Sequence, residues 1–540
     1  MSDAKKKFKI YLPILFAIVL VLGIFFGYRL KEPNKEPFAV STQDHALDQI
    51  LHLIDLKYVD SIQLQSIKEN AIQDILKHLD PHSEYISPHL LKNVTENMQG
   101  HYRGIGVAYY IINDTINVSR VLDGGPAAKN GIKIGDQIIK ANDSSLTGKD
   151  ITPKRIKHIL RGPNHSQISL NILRRGTPLQ IELQRGVIPL KSIQETYFIH
   201  PGVAYMRINR FSAHTYSEFM DAVVALKKKD SIKKFILDLR NNPGGLVESA
   251  VNIADEFLSK NKLVVYTKGK NYPKREFTCS KHGELEDVPL AVLVDGYTAS
   301  ASEILAGAIQ DWDRGYIIGR QTFGKGLVQE QYFLSNGSAL RLTVARYYLP
   351  SGRLIQRPYK HRMLAYHHDL LRRAKHGELL HQDSIHYKDT TAYYTKKEHR
   401  LVHAKGGIMP DIFVPVDTAK LSNDLLKLYH KHTLFRFAQQ YLSHHKKELT
   451  QFTSPEEFAQ AHIFNENIFH QLKGFAAQSK INLNPINSDE LSMIKIQIKA
   501  FIARSLWQNK GYYYLLNQDD NVIHKALNTL KSTPSLTSLG

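Results

Sequence analysis

Short apolar runs alternate with amphipathic stretches through the middle of the chain. The runs lie at residues 203–208, 235–239, 263–266, 290–294 and 316–319. Runs of this length and composition are typical of buried strands. Residues 246–258 and 303–310 instead have the small-residue amphipathic spacing of helices. Strands that alternate with helices indicate βαβ units, so we predict an α/β sheet within residues 188–416.

Different patterns flank this predicted core. Residues 43–95 have helical apolar spacing and suit either a packing arm or a dimer arm. Residues 96–187 are β-rich, and residues 417–540 turn helical and polar. A Ser-Asn-Gly-Ser turn at residues 335–338 marks a hairpin between two further strands. The chain of 540 residues is therefore predicted to be a multidomain α/β protein with helical regions at both ends.

The N-terminal segment predicts a membrane anchor. Residues 10–28 carry no charged side chain, and these nineteen residues approach the ~20 that span a bilayer as a helix. Lysines within residues 1–9 should keep that tail in the cytoplasm, and residues 29–42 form a predicted linker. A cleaved signal peptide is the alternative, but no small-x-small site ends the run. An uncleaved single-pass anchor would place the rest of the chain on the periplasmic, extracytoplasmic side of the inner membrane.

Composition narrows the range of partners. Hydrophobic residues make up 42% of the chain, which is enough for packed cores. The net charge is +20, yet the lysines are spread along the chain and no aromatic-interleaved basic motif is present. We therefore expect no nucleic-acid partner and a basic surface beside an anionic membrane. The single cysteine, Cys279, excludes an internal disulfide and a multi-thiolate metal site.

Two short segments offer a nucleophile and a base. Ser300 follows one predicted strand and precedes a predicted helix, so its hydroxyl lies where helix N–H groups stabilise negative charge. Lys325 lies between two glycines, and burial can lower the pKa of a lysine until it accepts a proton. Serine–lysine pairs are a known variant of triad chemistry. Each residue alone has a simpler interpretation, because serine is a common N-cap and such a lysine is usually solvated.

Both segments resemble one family, the C-terminal processing peptidases, which are serine endopeptidases related to the tail-specific protease. The matching letters are TASASEI at residues 298–304 and TFGKG at residues 322–326, although the family has serine where the first threonine stands here. The resemblance implies that Ser300 is the nucleophile, that Lys325 is the general base and that Gln329 orients the lysine.

Further matches extend the resemblance over most of residues 46–416. They are LDPHS at residues 79–83, DLRNNPGGL at 238–246, LTVARYY at 342–348, PSGR at 350–353 and GGIMPD at 406–411. A glycine pair at the end of a strand lets backbone amides approach a ligand, although it can also be a simple tight turn. By resemblance, the amides of Gly245 and Ala301 form the oxyanion hole, and the core has a ClpP/crotonase-like sheet with helices.

The β-rich unit at residues 96–187 resembles a PDZ domain. The matching letters are YRGIGV at residues 102–107, GPAAKNGI at 125–132 and IGDQII at 134–139. Such a domain holds a carboxylate on loop amides and accepts a peptide as an added strand. The implied peptide-binding residues are Gly104, Ile105, Gly106 and Val107. Arg161 matches a family position that couples the PDZ unit to the core, although it can equally be a surface arginine.

An insertion at residues 358–404 holds eight of the 26 histidines. His399 and His403 are four residues apart, but the spacing is otherwise irregular and no clear helix holds the pair. We therefore expect no metal site and no organic cofactor, and we interpret the segment as a basic surface excursion.

Together these features predict a membrane-anchored serine endopeptidase that recognises free C-terminal ends through a PDZ domain and cleaves peptide bonds in exported proteins. The expected partners are substrates with free C-termini, the membrane, and either a second copy of the chain or an adaptor protein. A Ser-His-Asp hydrolase is one alternative, but no Gly-x-Ser-x-Gly elbow surrounds Ser300. A catalytically inactive PDZ scaffold that only binds C-termini is the other, and it would not need Lys325 or Gln329.

Overall fold

The structure, a computed structural model, describes residues 46–359, 366, 368–385, 391–416, 422–484 and 486–532. The predicted tail, anchor and linker at residues 1–42 lie outside these ranges. Within the described ranges, no helix combines the length and the apolar character that crossing a bilayer requires. The chain forms two compact units that divide between Asp74 and Ile75.

The first unit contains helix α1 (Ala46–Lys57) and most of helix α2 (Leu64–Lys77), as the apolar spacing predicts. Helix α1 buries none of its side chains, and four of its six large apolar residues are 50–62% exposed. These residues are Leu47, Ile50, Leu53 and Leu56. Such a row exposes apolar surface that a further chain could cover.

The second unit begins with a strand that the sequence analysis missed. Strand β1 (Glu84–Ile86) pairs antiparallel with strand β18 (Ala339–Tyr348), and helix α3 (Pro88–Gln99) follows it. Three residues are too few to show a period, and the segment is extended because β18 supplies its hydrogen-bonding partners. The helical region predicted at residues 43–95 therefore also contains a strand.

The β-rich unit forms a sheet with an open edge. Its elements are β2 (His101–Gly104), β3 (Val107–Ile112), β4 (Thr115–Val121), α4 (Pro126–Lys129), β5 (Gln137–Ala141), β6 (Ser144–Ser145), α5 (Pro153–Leu160), β7 (Gln167–Arg174), β8 (Thr177–Gln184) and β9 (Gly186–Pro189). The main sheet has the order β3-β4-β5-β7-β8, so β3 lies at one edge. Strand β2 pairs with β9 and ties the beginning of the unit to its end.

A six-stranded sheet forms the centre of the core. Its strands are β10 (Ile193–His200), β11 (Val203–Ile208), β12 (Lys234–Asp238), β15 (Leu290–Val294), β16 (Tyr316–Gly319) and β21 (Ile412–Phe413), paired in that order. Strands β10 and β11 are antiparallel, and every later pair is parallel. The predicted α/β sheet is thus present, with four of the five predicted runs in it.

The fifth run, residues 263–266, belongs to a second sheet. This sheet is antiparallel and contains β13 (Leu263–Lys268), β14 (Arg275–Thr278) and β17 (Leu327–Phe333) together with β1 and β18. Strand β13 pairs with β14 and β18, so its predicted membership of the α/β sheet is wrong. Periodicity shows that a segment is extended but does not show which strand it pairs with. The predicted hairpin turn joins β17 to β18.

Helices cover both faces of the six-stranded sheet. On one face, α6 (Thr215–Lys227), α7 (Val247–Ala254) and α8 (Ala301–Asp311) contribute to the largest buried cluster. On the other face, side chains of the sheet form a cluster with α16 (Asn521–Ser532). Burial on both faces explains why these strands are almost continuously apolar.

Further helices precede α16. They are α9 (Asp369–Lys375) in the insertion, and α10 (Asn423–His430), α11 (Thr433–His444), α12 (Lys446–Leu449), α13 (Pro455–Gln460), α14 (Glu466–Ala477) and α15 (Ser488–Asn517) in the C-terminal region. The insertion also contains a short 3₁₀ helix (Gln382–Ser384) and the strand pair β19 (Tyr393–Tyr394) and β20 (Leu401–Val402). The C-terminal helices enclose an apolar cluster of their own.

Helix α15 connects the β-rich unit to the core. It bends at Trp507 and Gln508, where Gln508 has a φ of 56°. The next residue, Asn509, accepts a hydrogen bond from Arg120 of β4 at 3.3 Å and donates one to the carbonyl oxygen of Gln194 in β10 at 3.2 Å. The C-terminal region therefore contacts both parts of the second unit.

Truncating Ile523 tests whether α16 stabilises the sheet. Its side chain is fully buried in the cluster beneath the sheet, and an isoleucine-to-alanine change at such a site costs about 2–5 kcal/mol of unfolding free energy. We expect Ile523→Ala to lower the urea midpoint of the purified protein. The exposed neighbour Lys525→Ala should change the unfolding free energy by no more than about 0.5 kcal/mol. Equal midpoints for the two variants would contradict this role of α16.

Candidate active site

Ser300 lies at the junction between strand β15 and helix α8. Its backbone has a φ of 56° and a ψ of −119°, a conformation that residues with a Cβ rarely adopt. Holding a residue in such a region costs about 1–3 kcal/mol, and strained positions of this kind cluster at active sites. Hydrogen bonds to the backbone N–H and C=O groups of Ser300 hold the residue in this conformation.

The buried carboxylate of Glu303 is the central contact. It accepts hydrogen bonds from the backbone N–H groups of Ser300 at 2.8 Å, Lys325 at 2.9 Å and Gly324 at 2.7 Å, and also from the Thr322 hydroxyl. Burial raises the pKa of this carboxyl above its ordinary value, while the hydrogen bonds act in the opposite direction. One side chain thus holds the backbones of both candidate catalytic residues.

Tyr347 makes a second link between the same two segments. Its hydroxyl is positioned to donate to the carbonyl oxygen of Ser300 at 3.2 Å and to that of Lys325. The side chain comes from strand β18 of the second sheet and is almost completely buried. Both the N–H and the C=O groups of Ser300 and Lys325 are therefore engaged.

The Lys325 side chain is largely buried and hydrogen-bonded. Its Nζ donates to Oε1 of Gln329 at 2.8 Å, and Nε2 of Gln329 donates to the carbonyl oxygen of His82. Burial, together with the charge of Arg341, lowers the pKa of Lys325 to about 8, and the carboxylate of Glu84 opposes this shift. Near neutral pH a useful fraction of this amine is therefore unprotonated.

A β-bulge determines where Gln329 lies. Lys325 precedes strand β17, and the register against β18 shifts between Val328 and Gln329. The two side chains meet although the strand begins only at Leu327, after the lysine. Bulges commonly redirect a side chain beside an active site.

The glycine loop, which contains Gly244 and Gly245, lies against Ser300. A Cβ placed on Gly244 would lie 2.8 Å from the Cβ of Ser300, and one placed on Gly245 would lie 1.9 Å from the carbonyl oxygen of Phe211. The carbonyl oxygen of Asn242 accepts a hydrogen bond from the Ala299 N–H at 3.0 Å. The sequence needs glycine at both positions because a side chain would displace the loop or the nucleophile.

Ala301 is the first residue of α8, so its N–H belongs to the turn that has no partner within the helix. The structure thus brings together four of the predicted positions, Ser300, Lys325, Gln329 and Ala301, with the Gly245 loop beside them. Among the hydrogen bonds of the described residues, none joins the Ser300 hydroxyl to the Lys325 amine.

The predicted peptide-binding loop has the expected backbone in the β-rich unit. Gly106 has a φ of 85°, and its carbonyl oxygen accepts from Leu122 N–H at 2.9 Å. Gly104 ends β2, Ile105 is buried, and Val107 begins the edge strand β3. An edge strand has backbone groups available to a peptide.

Arg161 lies at the end of helix α5. Its guanidinium is 3.6 Å from the carboxylate of Glu96 in α3 and 4.5 Å from the centre of the Tyr102 ring. These contacts join the β-rich unit to α3. The coupling of Arg161 to the core remains a prediction.

The insertion is not simply a surface excursion. The buried Arg373 donates to the carbonyl oxygen of Thr322 at 2.9 Å, and Arg357 lies 4.2 Å from the centre of the Phe323 ring. Both arginines pair with the buried carboxylate of Asp369. The interpretation of residues 358–404 as a basic surface excursion is therefore wrong for Arg373 and Asp369, which are buried and satisfied by ion pairs and a backbone carbonyl. In the part of the insertion that the structure describes, no cluster of ligand side chains suits a metal ion.

Sequence reasoning left several supporting residues without a role. Glu303 could have been found from its position three residues after Ser300, because that spacing is typical of a capping box. Tyr347 and Arg373 come from distant segments, and the sequence contained no signal for their contacts.

Models of known families match three parts of the chain. Peptidase family S41 matches residues 202–360, a PDZ domain matches residues 93–173, and a family of unknown function matches residues 425–508. The catalytic candidates lie within the first of these ranges.

Relatives of known class align over more than half of the chain. The carboxy-terminal-processing protease of Bartonella bacilliformis is 38% identical over 313 residues, which cover 57% of this chain and 71% of that relative. The "Probable CtpA-like serine protease" of Staphylococcus aureus is 32% identical over 344 residues, with coverages of 63% and 68%. A solved structure of a photosystem II D1 C-terminal processing protease is 25% identical and covers 70% of this chain and 89% of that one. Its TM-score of 0.36 is too low to add to the argument.

The fold and the relatives define a serine-type peptidase with a PDZ domain. The chain belongs to peptidase family S41, as a C-terminal processing protease.

The pKa of Lys325 can be measured directly. Reductive ¹³C-methylation with NMR titration should give a lysine signal that titrates at about 8 and is missing in Lys325→Arg. Arg341→Gln should raise this pKa, because it removes a positive charge that disfavours the ammonium form. Glu84→Gln should lower it, because it removes a carboxylate that favours that form. A titration near the ordinary value of 10.5 would contradict the burial of the amine.

Proposed function

We propose that this protein is a membrane-anchored endopeptidase in which Ser300 and Lys325 form the catalytic dyad. The observation that supports this most strongly is the joint anchoring of the two residues by Glu303, beside a lysine with a pKa lowered to about 8. A catalytic base needs a pKa near the working pH, and an ordinary lysine does not have one.

The reaction proceeds in two halves. Neutral Lys325 takes the proton of Ser300 as Oγ attacks the substrate carbonyl carbon, and the protonated lysine then donates to the departing amine when the C–N bond breaks. Water repeats the attack on the acyl-enzyme, with Lys325 again taking a proton, and the product acid leaves with Ser300 restored. At pH 7, a pKa of about 8 leaves roughly one lysine in ten neutral.

The amides of Gly245 and Ala301 stabilise the oxyanion in this proposal. The close packing of the glycine loop against Ser300 and the position of Ala301 as the first residue of α8 support it. Each donor of this kind contributes about 10²–10³ in kcat. Gln329 positions the amine through its 2.8 Å hydrogen bond and does not exchange a proton. The serine and lysine side chains align when substrate binds, as catalytic hydrogen bonds often do.

Substrates are recognised by a free C-terminus at the PDZ domain. The substrate tail adds a strand to β3, and its carboxylate binds the amides of the loop at Gly104, Ile105, Gly106 and Val107. The edge position of β3 and the backbone of Gly106 support this assignment. In this proposal, Arg161 couples the binding of a substrate C-terminus at the PDZ domain to the peptidase core.

The site of action follows from residues 10–28. Their uncharged length and the preceding lysines support a single-pass anchor in the inner membrane, with the peptidase on the periplasmic side acting on exported proteins. The exposed apolar row on α1 supports binding of a second copy or an adaptor protein.

Variants of the dyad test the chemistry. Ser300→Ala and Lys325→Ala should each abolish peptide cleavage, and Lys325→Arg should also fail because arginine cannot act as a base. Gln329→Ala should lower kcat less completely. Unfolding midpoints serve as the control for folding. Residual turnover in Lys325→Arg comparable with that of the unmodified enzyme would exclude the dyad, and binding of C-termini without any cleavage would favour the inactive scaffold.

Amidation of the substrate C-terminus tests recognition. A peptide with an amidated end should show a raised KM with kcat little changed, because the loop amides interact more strongly with a charged carboxylate. Gly106→Ala should raise the KM for the free peptide, since its added Cβ would lie 3.1 Å from Ile188 at a φ of 85°. Gly176→Ala is the matched control, with a φ of 82° and open space around it. Equal KM values for free and amidated peptides would refute recognition of the C-terminus.

A further inference from the structure

A cleft of about 580 Å³ lies beside the glycine loop and shares Gly245 with the proposed oxyanion hole, but most of its lining has no role assigned above. Its walls include Met98 of α3, Gln194 of β10, Arg207 and Arg210 at the end of β11, Gly244, and Tyr513 of α15. Three parts of the chain that are distant in sequence therefore enclose one concave surface.

The cleft adjoins the nucleophile. Gly244 lines it, and a Cβ on Gly244 would lie 2.8 Å from the Cβ of Ser300. An extended peptide advances about 3.3 Å per residue. When the carbonyl group of a substrate reaches Ser300, the side chain of a nearby substrate residue therefore lies in this cleft. That residue is within about three positions of the cleaved bond.

Most of the charge around the cleft is already neutralised. Arg207 and Arg240 pair with Asp238 at 2.7 and 2.8 Å, and Arg240 also pairs with Asp520 at 2.7 Å. Two guanidinium groups and two carboxylates leave no net charge. This group of four therefore holds the loop in place without attracting a charged ligand.

Arg210 is different. It is half-buried, its Nε donates to Oδ1 of Asn209 at 3.3 Å, and it forms no ion pair among the described residues. The carboxylate of Glu218 acts on the charge of Arg210 only at longer range. That carboxylate instead accepts hydrogen bonds from the backbone N–H groups of Ser192 and Ile193 at 2.7 and 3.0 Å. Arg210 thus contributes an uncompensated positive charge and free donors to the cleft.

We propose that this cleft is a substrate subsite in which Arg210 binds the carboxylate of an Asp or Glu side chain close to the cleaved bond. The proposal rests on the proposed function of Ser300. Arginine presents several donors in a fixed geometry that matches a carboxylate, which makes it suited to this recognition.

The C-terminal region contributes to this subsite through Tyr513. Its ring lies 5.2 Å from the Arg207 guanidinium and lines the cleft. Tyr513 lies outside the S41 match at residues 202–360, so this wall depends on the C-terminal helices of this chain. The subsite gives the C-terminal region a part in choosing the cleavage position.

Paired peptides test the proposal. Peptides with one common free C-terminus would differ only by Glu or Gln at each of the three positions on either side of the cleaved bond. We expect the full-length enzyme to prefer Glu at one position by at least about tenfold in kcat/KM, the effect of a charge-assisted hydrogen bond. Arg210→Gln should abolish the preference, so that the ratio of kcat/KM for the Glu and Gln peptides falls to about one. Arg210→Lys should retain part of the preference.

A charge swap and a distant control complete the design. Arg210→Glu should favour a peptide with Lys at the same position, whereas Arg275→Gln, an exposed residue of β14, should leave every ratio unchanged. Equal cleavage of Glu and Gln peptides at all positions, or a preference that persists in Arg210→Gln, would overturn the subsite. Cleavage by Ser300→Ala would instead refute the proposed function. If Arg210→Gln does not fold, the Glu/Gln ratios of the unmodified enzyme and of Arg210→Lys decide the question.

Discussion

The site depends on one buried carboxylate. Glu303 receives hydrogen bonds from the backbones of Ser300, Gly324 and Lys325 and from the Thr322 hydroxyl. A carboxylate in the interior is stable only when its oxygens are satisfied, and four donors achieve this. Because the donors come from two segments separated along the chain, satisfying the acid also fixes the distance between those segments. A shorter Asp would not reach as far, and an amide would bring donors against donors.

The strands that surround this site were largely evident in the sequence. Residues 203–208, 290–294 and 316–319 form strands with the predicted boundaries, because buried strands of a parallel sheet are continuously apolar. Strand β13 was recognised but assigned to the wrong sheet, and β1 was missed. Both errors concern pairing, which depends on distant partners and leaves no local pattern.

The same distinction applies to the site. Short motifs identify Ser300 and Lys325 from the sequence, because each motif by itself indicates a nucleophile or a base. The bulge that brings Gln329 to the lysine, the Tyr347 hydroxyl and the Arg373 contact each require knowledge of a partner far along the chain. The insertion is rich in histidine, yet its contact with the segment that carries Lys325 comes from Arg373, which donates to the carbonyl oxygen of Thr322.

Helix α16 has a consequence for how the molecule is made. It covers one apolar face of the central sheet, and it follows every strand of that sheet in the chain, the last of which ends at Phe413. During synthesis the strands therefore emerge more than a hundred residues before their cover. The sheet that holds Ser300 cannot reach its final packing while the ribosome is still translating the C-terminal region. The packing beneath the sheet that carries Ser300 is therefore completed only after residues 521–532 have been synthesised.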